Sequence, residues 1–162
     1  MEEENKVIHT FEPVYDKNSK ILILGTMPSP KSRQEGFYYS HPQNKFWKVM
    51  AEILNADVPS DNENKRSLMI ENKIALWDVL HSCDIKGADD NSIKNPVPND
   101  IAALLDKTDI EAVFTTGNKA TSLYKKYCAK KAGRESVYLP STSPANCRNY
   151  NFEKLVEEYR VI

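Results

Sequence analysis

Three aliphatic runs in this chain end in residues that can do chemistry. Asp78 follows Ile74-Ala75-Leu76-Trp77, Thr26 and Met27 follow Ile21-Leu22-Ile23-Leu24-Gly25, and Ser141, Thr142 and Ser143 follow Val137-Tyr138-Leu139-Pro140. A carboxylate, several hydroxyls and turn N–H groups gathered at strand ends can grip a polar ligand. The first turn continues through Ser29 into Gly36-Phe37-Tyr38-Tyr39-Ser40-His41-Pro42-Gln43-Asn44-Lys45-Phe46-Trp47. Three successive aromatics in a polar loop share no single face at helical or strand spacing. An aromatic on such a loop can stack on a nucleobase; the competing reading is that Phe37 and Tyr38 pack the loop down. Asn44 can cap the helix that begins near Phe46, and an amide can also orient a water molecule. Asp78 can equally close a turn, His41 before proline reads as a loop-ordering residue, and Ser141–Ser143 fit either an ordinary turn or phosphate contacts. His9 and His81 draw no functional argument.

The elements that must position these groups alternate between two periods. The runs at 20–26, 74–80, 112–117 and 136–140 read as strands; the first is an unbroken aliphatic stretch ending in glycine, as a strand buried on both faces requires. Between them, Phe46, Val49, Met50, Ile53 and Leu54 share one helical face, and Leu68, Met69 and Ile70 lie in a helix capped by Ser60 or Asp61. Asn99 is expected to cap Ile101–Leu105, Asn118 to open a helix through Leu123, Tyr124 and Tyr127, and Phe152, Leu155, Val156 and Tyr159 to mark a last one. Strands alternating with helices imply right-handed crossovers over a parallel sheet, an α/β, three-layer αβα architecture with four parallel strands and Ile21–Leu24 central. Its ligand site belongs beyond the carboxyl ends of the strands. The two long connections, Met27–Asn44 and Asp78–Pro98, exceed what linkage alone needs. No repeat or linker divides residues 1–162, so one domain is expected, with 1–19 an extension of uncertain structure.

Composition excludes several classes. With 162 residues, 40% apolar and 28% charged, the chain has the proportions of one globular domain. A net charge of −1 gives no overall attraction to nucleic acid or acidic membrane. No apolar run approaches a membrane span, and Met1-Glu2-Glu3-Glu4 is the opposite of a signal peptide's basic start, so a cytoplasmic protein is expected, nucleoid-associated in a prokaryote. Cys83, Cys128 and Cys147 make neither a disulfide framework nor a thiolate metal site. Local charge is uneven. Lys31, Arg33, Lys45 and Lys48 face only Glu35, and Lys119, Lys125, Lys126, Lys130, Lys131 and Arg134 face no acid within their stretch. These blocks are either solvated helix faces or a basic surface for phosphates bordering the site.

Gly25-Thr26-Met27-Pro28-Ser29, followed by Phe37-Tyr38-Tyr39-Ser40-His41-Pro42-Gln43-Asn44-Lys45-Phe46-Trp47, resembles the first motif of the uracil-DNA glycosylase superfamily, and within it the hypoxanthine-DNA (deoxyinosine) glycosylases. Pro140-Ser141-Thr142-Ser143-Pro144-Ala145-Asn146 resembles the second motif, and Ile74–Leu80 the strand that carries the base-reading residue. The resemblance runs from about Lys20 to Tyr159. It implies a glycosylase fold, DNA as partner, a monomer, and base-excision repair without metal or organic cofactor. It implies Asn44 as the catalytic residue and Tyr39 as the aromatic stacking on the flipped base. Asp78 lies where other branches place a base-reading asparagine. Thr26 and Met27 complete the base site, and Ser29, Ser141, Thr142, Ser143, Asn146 and Arg148 face the DNA backbone. The chain departs from the broader pattern at Met27, where several branches carry an acid or asparagine. Ser141 replaces a histidine and Ala145 a bulky intercalating leucine. Water activation by an acid at 27 and leaving-group stabilisation by a histidine at 141 therefore do not carry over.

The expected chemistry follows. Hydrolysis of the C1′–N bond makes an oxocarbenium-like sugar and an anionic base, which oriented N–H groups at Thr26, Met27 and Ser29 could stabilise. A carboxylate at 78 accepts from hypoxanthine N1–H, whereas adenine offers a lone pair there; uracil N3–H fits the same acceptor. The reading is a monofunctional glycosylase for hypoxanthine, with uracil left open. A mismatch-specific uracil/thymine glycosylase and a catalytically inactive nucleic-acid-binding relative are the alternatives.

Overall fold

The computed structural model describes residues 4–146 and 150–162. Four parallel strands, β2 (Ile21–Gly25), β3 (Ile74–Asp78), β6 (Ala112–Thr116) and β7 (Ser136–Leu139), form the central sheet in the order β3-β2-β6-β7. Their positions follow the four aliphatic runs. Side-chain alternation sends Ile23, Ile74 and Leu76 to one face, with Phe46, Met50, Met69, Leu155 and Tyr159 of helices α2 (Phe46–Ile53), α3 (Asn62–Glu71) and α7 (Phe152–Tyr159). Leu22, Leu24, Ala75 and Val113 go to the other, with Ile101, Leu104, Ala120, Leu123 and Tyr124 of α4 (Ile101–Asp106) and α5 (Asn118–Tyr127), and Ala129 of α6 (Ala129–Ala132). This is the expected αβα sandwich. Burial on both sides is why the strands read as continuous aliphatic runs.

A second sheet forms from the connection after Asp78, read above as a loop, and the N-terminal extension, left above without assigned structure. The stretch after Asp78 is a hairpin, β4 (Leu80–Lys86) and β5 (Asp89–Pro98), and the N-terminal extension supplies β1 (Glu4–Ile8), giving a three-stranded antiparallel sheet in the order β1-β4-β5. The β4–β5 register shifts three times, which breaks the period-two pattern. Pro96 and Pro98 are tolerated because β5 is an edge strand.

The cap of α4 also differs. Asp100, not Asn99, accepts from the Ala103 N–H. Asn99 is buried and donates its amide N–H groups to the carbonyls of Asp78 and Leu80, tying the end of β3 to the start of β4. Of the two candidates at the start of α3, Asp61 is the cap. A short helix, α1 (Pro30–Glu35), begins at the Ser29 cap with Pro30 in its first turn and ends at Gly36 with φ of 72°. Among the described residues no helix is long and apolar enough to cross a membrane.

Candidate active site

One cleft at the carboxyl ends of the parallel strands is lined by Thr26, Met27, Ser29, Tyr39, Asn44, Asp78, Ser141, Thr142 and Ser143. All nine are residues that the sequence singled out. Two others stand differently: Asn146 is not in the lining and donates its amide N–H to the Ser141 carbonyl at 2.8 Å, and Arg148 lies outside the described residues. Gly25, Pro28, Ser32, Tyr38, Thr116 and the hairpin residues Ile85, Gly87, Ala88 and Asp90 complete the walls.

The floor is set by register. Gly25 pairs directly with Asp78 across the β2–β3 ladder. A Cβ on Gly25 would stand 2.6 Å from Asp78 Oδ1, so any other residue there forces the carboxylate to shift. The same point is 3.4 Å from the Tyr39 hydroxyl and 3.8 Å from Thr116 Oγ1. Asp78 is buried, and its other oxygen accepts a hydrogen bond from His9 Nε2 at 2.8 Å. His9 stands just beyond β1, against Phe11 with ring centroids 4.7 Å apart. No role for His9 is visible in the sequence because the partner lies 69 residues away and on a different sheet.

The three loop aromatics divide. Phe37 and Tyr38 are buried, and Tyr38 donates to the Glu12 carbonyl, so they hold the loop down. Tyr39 adopts φ of 55°, a strained conformation for a bulky residue and one expected where a site dictates the backbone. Its ring lies flat on Phe46, centroids 3.9 Å apart and planes at 16°. Its hydroxyl is buried without a hydrogen bond of acceptable geometry. Burial, and then the nearby Asp78 carboxylate, push the Tyr39 phenol well above its ordinary range, so it keeps its proton.

Asn44 stands one residue before Lys45, the N-cap of α2, and its Oδ1 accepts from the Phe46 N–H that opens the helix at 2.9 Å. This bond fixes which amide atom is oxygen, and leaves the NH2 group as the donor still to be placed. His41 Nδ1 accepts from Gln43 N–H and its carbonyl accepts from Asn44 N–H, the loop-ordering role expected of it. Lys45 N–H donates to the Thr142 carbonyl, which locks the two motif loops together. Ser29 Oγ accepts from Ser32 N–H, and Ser141 Oγ accepts from Ser143 N–H; both hydroxyls organise backbone at the cleft rim.

The hairpin adds a carboxylate the sequence reading missed. Asp90 sits on the exposed tip yet turns Oδ2 inward, 3.4 Å from Thr26 Oγ1. Desolvation against the cleft wall raises its carboxyl above the ordinary aspartate value, opposed by the Thr26 hydroxyl and by Lys119. The basic blocks contribute less than their count suggests. Lys31 pairs with Glu35 at 3.1 Å, Arg33 donates to the Pro28 carbonyl, and Lys131 pairs with Asp100 at 3.4 Å. Lys125, Lys126, Lys130 and Lys131 are not in the cleft lining.

A doubly covered parallel sheet with this cleft at its strand ends defines a class, and the comparisons agree with it. Residues 12–161 match the uracil DNA glycosylase superfamily, and the chain belongs to that superfamily. Two relatives are named hypoxanthine DNA glycosylase. That of Methanosarcina barkeri is 34% identical over 89% of this chain and 91% of its own. That of Methanosarcina acetivorans is 31% identical over 85% and 87%. A solution NMR structure of a candidate uracil DNA glycosylase from Methanosarcina acetivorans superposes with a TM-score of 0.79 at 30% identity, covering 93% of this chain and 95% of that one.

Proposed function

We propose that this protein is a monofunctional DNA glycosylase that hydrolyses the N-glycosidic bond of deoxyinosine in base-excision repair. The observation that carries the reading is the buried Asp78 carboxylate in the cleft lining, held by His9 on one oxygen and set over Gly25 on the other. An acceptor so fixed suits the N1–H of hypoxanthine and opposes the N1 lone pair of adenine. Uracil N3–H can use the same acceptor, so uracil is a second substrate to be tested. The two relatives named hypoxanthine DNA glycosylase favour hypoxanthine as the principal one.

In this reading the target nucleotide leaves the stack and enters the cleft. Asn44 directs its free amide N–H group at the attacking water or the sugar. Thr26 and Met27 line the base, and the turns at Ser29 and Ser141–Ser143 guide the flanking phosphates, with Asn146 bracing the second turn. It acts as one domain and as a monomer, in the cytoplasm, on double- or single-stranded DNA; that described residues of one chain line the cleft supports the monomer. No metal or organic cofactor takes part in the proposed hydrolysis.

The test is alkali-induced strand cleavage of duplex and single-stranded oligonucleotides carrying inosine, uracil, xanthine or a thymine mismatch. Excision strongest on inosine supports the proposal. Thymine-mismatch excision above inosine transfers it to the mismatch-specific branch, and tight binding without excision of any base makes the protein a binding module.

A further inference from the structure

His9 is a buried titratable residue that the proposed reaction leaves unused. It stands just beyond β1, where its backbone N–H donates to the His81 carbonyl and continues the pairing of β1 with β4. Phe11 and Tyr38 clamp its ring, with centroids 4.7 and 5.9 Å away. From there Nε2 reaches Asp78 Oδ2 at 2.8 Å, from one sheet to the other. Asp78 is 4% exposed, and among the described residues no lysine or arginine pairs with it. Of the other titratable groups that face it, Tyr38 and Tyr39 from the first loop are neutral, and Asp90 from β5 is a like charge. His9 is the neighbour that favours the ionised carboxylate.

Burial favours a neutral carboxylic acid, whereas a hydrogen bond donated to the ionised form favours the charge. The two forms read different bases. A carboxylate accepts from the N1–H of hypoxanthine. A carboxylic acid would instead donate to the N1 lone pair of adenine, the normal base that a repair enzyme must refuse. We infer that His9 is a positioning residue for base recognition, holding Asp78 as a fixed, ionised acceptor with Oδ1 over Gly25. The inference rests on Asp78 reading N1–H, as proposed above. It also gives the second sheet a task, since β1 and β4 carry the donor that keeps the base-reading group in its accepting state. His9 is not in the cleft lining and acts through Asp78 alone.

Three substitutions separate the donor from the ring. His9→Gln places an amide N–H near the reach of Nε2, His9→Asn stops short of Asp78, and His9→Phe offers no donor at all. Without the donor the buried carboxyl takes up a proton, and its accepting form returns only as pH climbs through the raised titration point. Single-turnover excision of deoxyinosine is measured from pH 5 to pH 8 and divided by the parental rate at each pH, which cancels the titration of Asp90 that all the proteins share. The ratio should be about tenfold lower at the acid end than at the alkaline end in His9→Phe and His9→Asn, and flat in His9→Gln. A flat ratio in the first two, or a His9→Gln that does not rescue, overturns the inference; a slowed Asp78→Ala beside it leaves the cleft reading standing. A parental rate in Asp78→Ala overturns the cleft reading and the inference with it. If the variants lacking the donor melt below the assay temperature, His9 is a clamp of the fold and the inference is likewise overturned.

Discussion

His9 Nε2 and Asp78 Oδ2 lie 2.8 Å apart with both side chains almost wholly buried, and they join the two sheets at the floor of the cleft. An ionised carboxylate can only accept, so the imidazole carries its hydrogen on Nε2. One oxygen of Asp78 is thereby committed and the other lies over Gly25. This makes the N-terminal strand part of the site rather than an appendage.

Removing the imidazole should expose that dependence. His9→Ala leaves a buried carboxylate short of its donor, at a cost of about 1–3 kcal/mol. In an Asp78→Asn background the same change should cost less, because no buried charge remains to be satisfied. Urea unfolding of the two single variants and the double variant measures the difference, and equal costs in both backgrounds would show the pair to be uncoupled.

Gly25→Ala is the sharper probe of the floor. In an ordinary strand alanine gains about 0.5–1 kcal/mol over glycine. Here its Cβ would meet Asp78 Oδ1 at 2.6 Å, and the carboxylate must move. A displacement near 1 Å in a reacting site can cost about 10²-fold in rate. Deoxyinosine excision should therefore collapse while circular dichroism still reports a folded domain. Activity within about twofold of the parent would mean that the carboxylate's position is immaterial.

How much of this is legible in the sequence depends on chain distance. Ile21–Gly25 and Ile74–Asp78 announce the parallel sheet because each is buried on both faces, and the residues at their carboxyl ends fall together for the same reason. His9 and Asp90 are not legible. His9 acts only through a partner on another sheet, and Asp90 lies in a charged, bulged edge strand whose pattern resembles a loop. Asn99 reads wrongly as a cap because its local signal is the same whether its side chain faces the helix or, as here, the Asp78 and Leu80 carbonyls.

The hairpin tip should tune DNA binding. Asp90 places negative charge in the cleft wall, with the Asp89 charge beside it, where approaching DNA phosphates would be repelled. Asp90→Asn should tighten binding by about two- to fivefold at low salt, and the gain should shrink as salt is added. The pH dependence follows from the raised Asp90 carboxyl. As pH falls through that raised value the group becomes neutral and DNA affinity rises; as pH climbs through it affinity declines. Thr26, Lys119, Asp78 and Asp89 surround it, and the difference between the parent and the Asp90→Asn variant isolates its share. Fluorescence anisotropy across pH 4–8 reads this, and superimposable pH profiles would remove Asp90 from the mouth electrostatics.

Asn44 allows capping and catalysis to be separated in one residue. Its Oδ1 holds the Phe46 N–H at the start of α2, so Asn44→Ala, which deletes that hydrogen bond, should lose about 1 kcal/mol of stability. Asn44→Asp keeps an oxygen in that place and should restore the stability. It cannot restore the amide N–H group, which is the part left to meet water or sugar. Both variants should therefore bind inosine-containing DNA while their single-turnover rates fall by orders of magnitude, each tenfold loss corresponding to about 1.4 kcal/mol of transition-state stabilisation. If Asn44→Asp recovers stability and rate together, Asn44 is a cap and its amide takes no part in the chemistry. If stability returns and the rate stays low, the N–H donor is what the reaction requires. Melting temperature beside excision rate, in the same buffer, decides between the two.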